Sequence, residues 1–236
     1  MIYDTLASYY DDLVRDDEAS ENWVRWVESF HPGKQFLELA CGTGEITNRL
    51  AKNHEMSALD LADHMVEAAR KKDPENQIRF SVQDMRDLSG LGIFDAIGCF
   101  CDSFNYLLTE KEAEDFFEEC AAHLKTDGLF FFDTHSLDRI EEFAGEDAYS
   151  EAGVFDDGTG VQWEISSTPE GLIYQDFAFY LPDETVTEHH IQRVYDPGWL
   201  IEVLEKNFEI LSLSTDWETE GIGEGEKYFF VCRKKA

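Results

Sequence analysis

Glycines and a carboxylate stand at the end of an apolar run, in a pattern that could bind a small ligand. Residues 38–44 read Glu-Leu-Ala-Cys-Gly-Thr-Gly and overlap the end of the apolar run at residues 35–39. Residues 45–51 then have the apolar spacing of a helix. A strand, a glycine turn and a helix allow the backbone to approach a nucleotide-like ligand. Gly42 and Gly44 permit this approach, because a Cβ there would clash with the ligand or forbid the backbone angles.

A dinucleotide is the first candidate for this ligand. The NAD fingerprint spaces three glycines as G-x-G-x-x-G, and its third glycine lets the helix pack closely on the strand. Here the third position holds Thr47, which disfavours an NAD-dependent oxidoreductase. The acidic residue Glu38 precedes the turn, where a carboxylate suits a cation or an amine better than a pyrophosphate.

Two further carboxylates follow the next two apolar runs. Asp60 ends the run at residues 56–60, where it is placed to bind a ribose diol. Asp84 follows the run at residues 78–82. Together with Glu38, they place a carboxylate at three successive strand ends. This set suits a ligand that has an amine, a ribose and an adenine but no phosphate.

These residues require a scaffold in which strands and helices alternate. Strands are predicted near residues 35–39, 55–60, 78–82, 94–100 and 128–133. Helices are predicted near residues 44–53, 63–72 and 110–124, after two N-terminal helices at residues 3–14 and 20–30. Ser20 is expected to cap the second of these. The alternation predicts an α/β fold, in which a parallel sheet has helices on both faces and binds ligands at the carboxyl ends of its strands.

The pattern changes after His135. A short helix is predicted at residues 136–144, and the turns and alternating apolar residues of 149–195 predict an antiparallel meander. Asp196 is expected to cap a last helix that starts at Pro197. We expect three parts: residues 1–135 (N-terminal helices and main part of the cofactor-binding core), 136–195 (inserted helix and meander) and 196–236 (final helix and two strands completing the core).

Taken in order, these motifs resemble class I S-adenosylmethionine-dependent methyltransferases, of the small-molecule type with a methyltransferase domain 25 or 11. Residues 38–44 resemble the first motif, with Ala40 where a glycine is usual. Residues 94–107 and 125–133 resemble the fourth and fifth strands with their adjoining loop and turn, and residues 3–11 resemble a leader of small-molecule members. The resemblance implies a Rossmann-like, seven-stranded, mostly parallel sheet with helices on both faces and an inserted antiparallel β meander.

The resemblance also implies S-adenosylmethionine as the cofactor. Glu38 would accept a hydrogen bond from its amino group, Asp60 would hold the ribose hydroxyls, and Asp84 would hold the adenine amine. The residues expected at the cofactor are Glu38, Ala40, Gly42, Gly44, Asp60, Leu61, Asp84, Met85 and Cys101. Methyl transfer is an in-line displacement, so it needs positioning and desolvation rather than a nucleophilic side chain.

Three residues are candidates for the catalytic side of the site. Asp102 follows the fourth strand, where family members place groups that face the methyl acceptor, and His135 ends the fifth strand. Tyr10 belongs to the leader and could close over the cofactor. If the acceptor is an amine it must be deprotonated, and Asp102 or His135 could assist. Each of the three could equally be a structural residue. His189 and His190 point to opposite faces of a strand, which argues against a metal site.

The amino-acid composition limits which substrates and binding partners are plausible. The chain has 51 acidic and 19 basic residues and a formal charge of -32. This charge repels phosphate backbones, so nucleic acid is an unlikely substrate and a cationic or neutral small molecule is favoured. Most of these acids are nevertheless expected simply to solvate the surface. No secretory signal or membrane span is expected, and five cysteines without a C-x-x-C pair indicate free thiols in the cytoplasm.

The expected function is methylation of a small molecule by in-line displacement. Two alternatives remain open at this point, namely methylation of a protein or RNA and a non-catalytic nucleotide-binding module of the same fold. The meander is expected to form a lid or the interface of a homodimer.

Overall fold

The computed structural model describes residues 5–145 and 149–236, and twelve strands form two sheets within these ranges. The strands are β1 (Gln35–Leu39), β2 (Glu55–Asp60), β3 (Arg79–Val82), β4 (Phe94–Cys99), β5 (Leu124–His135), β6 (Tyr149–Val154), β7 (Gly160–Ser167), β8 (Leu172–Tyr180), β9 (Thr185–Arg193), β10 (Phe208–Thr215), β11 (Thr219–Glu220) and β12 (Lys227–Lys234). The main sheet has the order β11-β10-β12-β5-β4-β1-β2-β3, and β6 to β9 form a separate antiparallel sheet.

Strands β1 to β5 run parallel, whereas β10, β11 and β12 pair antiparallel at one side of the main sheet. The predicted α/β fold with a mostly parallel sheet is therefore confirmed. The structure adds the two-residue strand β11 to the seven strands that were expected. The carboxyl ends of the five parallel strands lie at the same edge, and this brings their loops together.

Seven α-helices connect the strands in the described ranges. They are α1 (Leu6–Val14), α2 (Asp17–Ser29), α3 (Glu45–Leu50), α4 (Asp63–Lys71), α5 (Glu110–Ala122), α6 (Asp138–Glu142) and α7 (Pro197–Leu204). A 3-10 turn at Ser103–Tyr106 follows β4. The predicted first helix and leader include residues 3 and 4, which lie outside the described residues.

The expected cap of α2 is wrong. The helix begins at Asp17, and the Asp16 carboxylate caps it by accepting the N–H groups of Glu18 and Ala19, each at 2.9 Å. Ser20 lies inside the first turn, where its hydroxyl donates to the Asp16 carbonyl. A carboxylate also interacts favourably with the positive end of the helix, so Asp16 is the better cap. By contrast, Asp196 caps α7 as expected, accepting from the Trp199 N–H at 2.9 Å.

Apolar layers cover both faces of the main sheet. On one face, α5 and α7 contribute Phe116 and Leu200 to a core rich in phenylalanine. On the other face, α2 and α3 contribute Val27 and Leu50. No helix of the described residues is long and apolar enough to cross a membrane.

The antiparallel sheet buries one of its faces against α1. Leu6 of α1 packs with Val161, Phe177 and Phe179 of this sheet. The same face carries a row of polar side chains on β9, namely Glu188, His190 and Gln192, because alternate residues of a strand share a face. All three are buried. The fold thus brings polar residues of β9 towards the loops at the carboxyl edge of the main sheet.

Candidate active site

The loop after β1 takes an unusual backbone path. Ala40, Gly42 and Gly44 all have positive φ angles, of 51°, 54° and 76°. A Cβ on Gly42 would meet no atom within 4 Å, so its backbone angle is what requires glycine there. A Cβ on Gly44 would lie 2.9 Å from the Cβ of Ala69 on α4. Ala40 adopts the left-handed conformation despite its side chain, which costs the folded state free energy.

Glu38 lies at the base of this loop with only 3% of its surface exposed. Its Oε2 atom accepts a hydrogen bond of 2.7 Å from the Thr47 hydroxyl. Burial raises the pKa of Glu38 to about 8, although the Thr47 hydrogen bond works in the opposite direction. Thr47 occupies the position of the missing third glycine, and sequence reasoning did not predict that it would bind Glu38.

Asp60 ties the ends of β1 and β2 together. Its carboxylate accepts the Gly42 N–H at 2.8 Å with Oδ2 and the Ala62 N–H at 2.9 Å with Oδ1. Burial raises its pKa, and these backbone hydrogen bonds oppose that rise. The next residue, Leu61, leaves 64% of its surface exposed, and this is unusual for a large apolar side chain.

Asp84 has a partner that the sequence did not reveal. Its carboxylate forms an ion pair of 2.6 Å with Arg86 and accepts the Arg86 backbone N–H at 2.9 Å. The Arg86 hydrogen bond lowers the pKa of Asp84, so the group is charged at neutral pH. Met85 is half-buried and packs against the apolar core.

A cleft lies between α1, the loop after β1 and the loop after β4. Glu38, Ala40, Gly42, Cys101 and Tyr10 line it together with Trp23 and Phe100, among others. Gly44, Asp60, Leu61, Asp84 and Met85 do not line this cleft. The structure therefore gathers about half of the predicted cofactor residues around one opening and places the others along the adjoining strand ends.

Helix α1 is tied at both ends. Near its C-terminus, Asp11 accepts from the Thr43 hydroxyl at 2.6 Å and pairs at 2.6 Å with Lys72, the residue that follows α4. At its N-terminus, the Oε1 atom of Glu188 accepts the N–H groups of Thr5 and Leu6 at 2.7 and 2.8 Å. The helix thus links the loop after β1 to the antiparallel sheet. Tyr10 projects from it into the cleft, and burial with the nearby Cys101 and Asp102 raises the pKa of its phenol.

The loop after β4 contains two successive non-glycine residues in the left-handed region, Cys101 (φ 56°) and Asp102 (φ 53°). Such strain persists only where the surroundings hold it. Here the Asp102 N–H donates to Asp133 at 2.9 Å, while Lys227 bonds both the Asp102 carboxylate and, at 3.0 Å, the Asp133 carboxylate. Lys227 therefore connects the strained loop to β5, because it bonds Asp102 in the loop and Asp133 on the strand.

The charges of Asp102, Asp133 and Lys227 depend on burial and on the contacts among these three side chains. Burial tends to raise the pKa of Asp102, but Lys227 and His135 outweigh it and lower that pKa to about 2. Burial raises the pKa of Asp133 to about 6, against the influence of Lys227. Burial tends to lower the pKa of Lys227, but the two carboxylates raise it well above its usual value. Asp102 is thus firmly a carboxylate and a weak base.

His135 lies next to Asp102. Its Nε2 atom is 3.7 Å from the Asp102 carboxylate and 3.0 Å from Oε1 of Gln192. Its backbone N–H donates to Asn105 at 3.1 Å. Burial lowers the pKa of His135, so the ring is neutral at neutral pH. Neither Asp102 nor His135 lines the cleft described above; they lie beside it, where Asp102 directly follows Cys101.

No group of three potential metal ligands occurs among the described residues. His189 pairs with Asp176 at 2.6 Å on the exposed face of the antiparallel sheet, whereas His190 is buried and bonds Tyr106 at 3.1 Å. The two histidines thus face opposite sides of the sheet, as the sequence predicted.

Comparison with known proteins identifies the family. A family model described as a methyltransferase domain matches residues 36–128. The putative methyltransferase YqeM of Bacillus subtilis (strain 168) is 33% identical over 245 residues, which cover 99% of this chain and 98% of the relative. The chain belongs to the methyltransferases. This confirms the resemblance on which the sequence-based prediction of cofactor and reaction rested.

Two other comparisons concern the fold and the type of acceptor. An S-adenosylmethionine-dependent methyltransferase from Clostridium acetobutylicum ATCC 824 superposes with a TM-score of 0.82 at 24% identity, covering 99% of both chains. A dTDP-3-amino-3,6-dideoxy-alpha-D-glucopyranose N,N-dimethyltransferase from Streptomyces fradiae is 30% identical over 158 residues, which cover 65% of this methyltransferase and 60% of the relative.

Proposed function

We propose that this methyltransferase methylates an amine nitrogen of a small molecule at the edge of the cleft beneath α1. The observation that carries the proposal is the pair of the neutral, buried His135 and the charged, half-buried Asp102 beside the cleft, 3.7 Å apart. A neutral imidazole can take a proton from an ammonium, and the adjacent carboxylate stabilises the cation that results. The similarity to an aminosugar N,N-dimethyltransferase supports the same acceptor chemistry.

The residues of the cleft fit the cofactor. The open space beside Gly42 leaves room for a ligand against the backbone, and Glu38 lies buried below it as a partner for an ammonium. When bound, S-adenosylmethionine supplies a methyl group on a positively charged sulfur. Backbone groups of Ala40, Gly42 and Gly44 would line its methionine part, and the Cys101 carbonyl would lie near its sulfonium end.

The other half of the cofactor would lie along the ends of β2 and β3. Each Asp60 oxygen accepts one backbone hydrogen bond, and its remaining lone pairs can accept the ribose hydroxyls. The exposed side chain of Leu61 offers an apolar face to the adenine, and Met85, the residue after Asp84, is the second apolar side chain predicted there. Asp84 would share its carboxylate between Arg86 and the adenine amine.

On the acceptor side, the structure distinguishes the roles of the three candidate residues. Asp102 is held by Lys227 and is too weak a base to deprotonate an amine, so it would stabilise positive charge instead. His135 is the better proton acceptor. Tyr10 keeps its phenolic proton at neutral pH and would serve as a hydrogen-bond group at the mouth of the site.

We further infer that residues 136–195 act as a lid, because Glu188 of β9 holds the N-terminus of α1 above the cleft. A small acceptor fits such a covered site better than a macromolecule does, and the charge of -32 opposes RNA. All five cysteines are free thiols, which suits the reducing cytoplasm. A homodimer remains the competing use of the antiparallel sheet, and light scattering would detect it.

The test has two arms. Calorimetry with S-adenosylmethionine, its demethylated product and NADH is expected to show binding of the first two alone. Turnover is then followed by release of the demethylated product with panels of small amines, small alcohols, peptides and RNA. Methylation of alcohols, peptides or RNA but not amines would overturn the proposed acceptor. Cofactor binding without turnover on any panel would favour the non-catalytic module.

A further inference from the structure

Gln192 connects the two candidate groups that could handle a proton. This side chain lies on β9 and is 1% exposed. Its amide nitrogen is 2.8 Å from Oδ2 of Asp102 and 3.2 Å from the Asp102 carbonyl oxygen. Both of these atoms are acceptors, so the side of the amide that faces Asp102 must be the N–H side. The amide oxygen therefore faces the other way.

This orientation determines where the proton of His135 resides. The amide oxygen of Gln192 is 3.0 Å from Nε2 of His135 and also accepts from Gln175 at 2.8 Å. Because an amide oxygen cannot donate, Nε2 must carry the hydrogen. A neutral imidazole has a single N–H, so Nδ1 of His135 is left as an acceptor.

The Nδ1 atom of His135 has no hydrogen-bond partner among the residues that the structure describes, and it is buried. Buried acceptors without a donor are rare in folded proteins and call for an explanation. An N–H group of a bound substrate would supply the missing donor. The Nε2 side of the ring already faces Gln192 and the nearby Asp102, and the backbone N–H of His135 donates to Asn105.

We propose that Gln192 is a positioning residue, which keeps the proton of His135 on Nε2 so that Nδ1 accepts the proton of the substrate. This step rests on the proposed amine acceptor. The N–H bond of the substrate ammonium breaks, its electron pair stays on nitrogen, and the proton moves to Nδ1. The amine becomes nucleophilic, and His135 becomes an imidazolium with a proton on each nitrogen, which it later returns to water.

The charged groups around His135 suit a transient imidazolium. Asp102 favours the cation, whereas Lys227 and Arg139 oppose it. Lys227 is itself paired with two carboxylates, Asp102 and Asp133, which limits its repulsion. When the proton moves, the positive charge passes from the substrate ammonium to the imidazolium. The net charge inside the site therefore does not change.

The tautomer can be read without substrate or cofactor. Protein labelled with 15N-histidine gives different two-bond proton–nitrogen patterns for the two neutral tautomers, and a His135→Gln variant identifies the signal. The wild type is expected to show His135 in the Nε2–H form. A wild-type signal from the Nδ1–H form would overturn the proposal directly, whatever the variants do.

Variants then test whether Gln192 is what keeps His135 in the Nε2–H form. Gln192→Met removes the acceptor opposite Nε2 and is expected to give mixed tautomers, with kcat lowered about tenfold or more. The matched control is Gln175→Met, which removes the other donor to the same oxygen and should leave the tautomer unchanged. An unchanged tautomer in Gln192→Met would refute the positioning role.

Activity separates this inference from the proposed function. In the wild type, kcat/KM for an amine is expected to fall as the pH drops through a pKa below that of an ordinary histidine, because the imidazolium cannot accept a proton. A Gln192→Met protein with mixed tautomers but unaltered kcat and pH profile would refute the proton transfer to Nδ1. An Nε2–H tautomer in a protein that methylates no amine would refute the proposed function and leave the tautomer assignment standing.

Discussion

Binding of the cofactor is expected to expel a proton from Glu38. Burial raises the pKa of this carboxyl to about 8, so it is mainly protonated at pH 7 in the empty cleft. The ammonium of the cofactor's methionine part would favour the charged form and lower that pKa. S-adenosylhomocysteine carries the same ammonium and cannot react, so it is the suitable ligand.

The size of the effect follows from this pKa. If the ammonium lowers the pKa to its ordinary value, about 0.9 proton leaves per ligand bound at pH 7. The apparent affinity must then rise with pH, because protonated Glu38 has to lose its proton before it can pair. Between pH 6 and pH 7, where the ligand ammonium stays charged, the gain is about ninefold.

Calorimetry in buffers of different ionisation enthalpy measures the released protons directly. Glu38→Gln is expected to bind more weakly and to release almost none. Thr47→Val removes the hydrogen bond that stabilises the carboxylate, so at pH 8 it should release more protons than the wild type. Glu67→Gln, at an exposed position on α4, is the matched control and should behave as the wild type. Release below about 0.3 proton at pH 7, or an affinity independent of pH, would refute the reasoning.

Three further predictions concern stability. Ala40→Gly relieves a left-handed alanine and is expected to raise the free energy of unfolding by about 0.5–1 kcal/mol in urea titrations. Glu188→Ala removes the acceptor at the N-terminus of α1, so hydrogen exchange of residues 6–14 should quicken by the equivalent of about 1 kcal/mol. Lys227→Met leaves the buried Asp133 and the half-buried Asp102 without their cation and should cost about 3–5 kcal/mol at pH 7. That loss should shrink as the pH falls, since the carboxyls then become neutral, and thermal unfolding across pH 5–8 measures it.

Each of these predictions has a control. Ala68→Gly makes the same change inside α4, where glycine should destabilise by about 1 kcal/mol, and a loss of stability in Ala40→Gly would contradict the backbone argument. Glu184→Ala, at an exposed turn, should not alter exchange in α1; equal exchange in Glu188→Ala and the wild type would show that Glu188 does not hold the helix. Lys227→Arg keeps the charge and should recover much of the stability, and a loss in Lys227→Met that is independent of pH would contradict the charge argument.

The parts of the fold that could be predicted depend on residues close together in the chain. The glycine turn, the cap of α7 by Asp196 and the alternation of strands and helices all follow from local rules. The same rules failed at α2, where both Asp16 and Ser20 could cap a helix and the choice depends on where the helix starts. They also missed β11, since two residues carry no recognisable pattern.

The residues of the candidate site also fall into those that could be predicted from the sequence and those that could not. Glu38, Asp60 and Asp84 could be found because each stands at the end of an apolar run, but their partners Thr47, Gly42 and Arg86 became evident only from the geometry. The resemblance to a family predicted which residues lie on the acceptor side and left their protonation open. Their pKa values depend on burial and on neighbours that come from other strands.

By itself, the sequence predicted the strand-end carboxylates and the glycine loop and, through the resemblance to a family, the methyl donor, because these features depend on short segments of the chain. Only the tertiary structure decided which polar and charged side chains meet, and hence in which direction their pKa values shift. Lys227 reaches Asp102 across 125 residues of chain, and Gln192 reaches His135 across 57. Such contacts depend on which strands become neighbours and on how the two sheets face each other. No local pattern encodes that arrangement, since it arises when the whole chain buries its apolar surface.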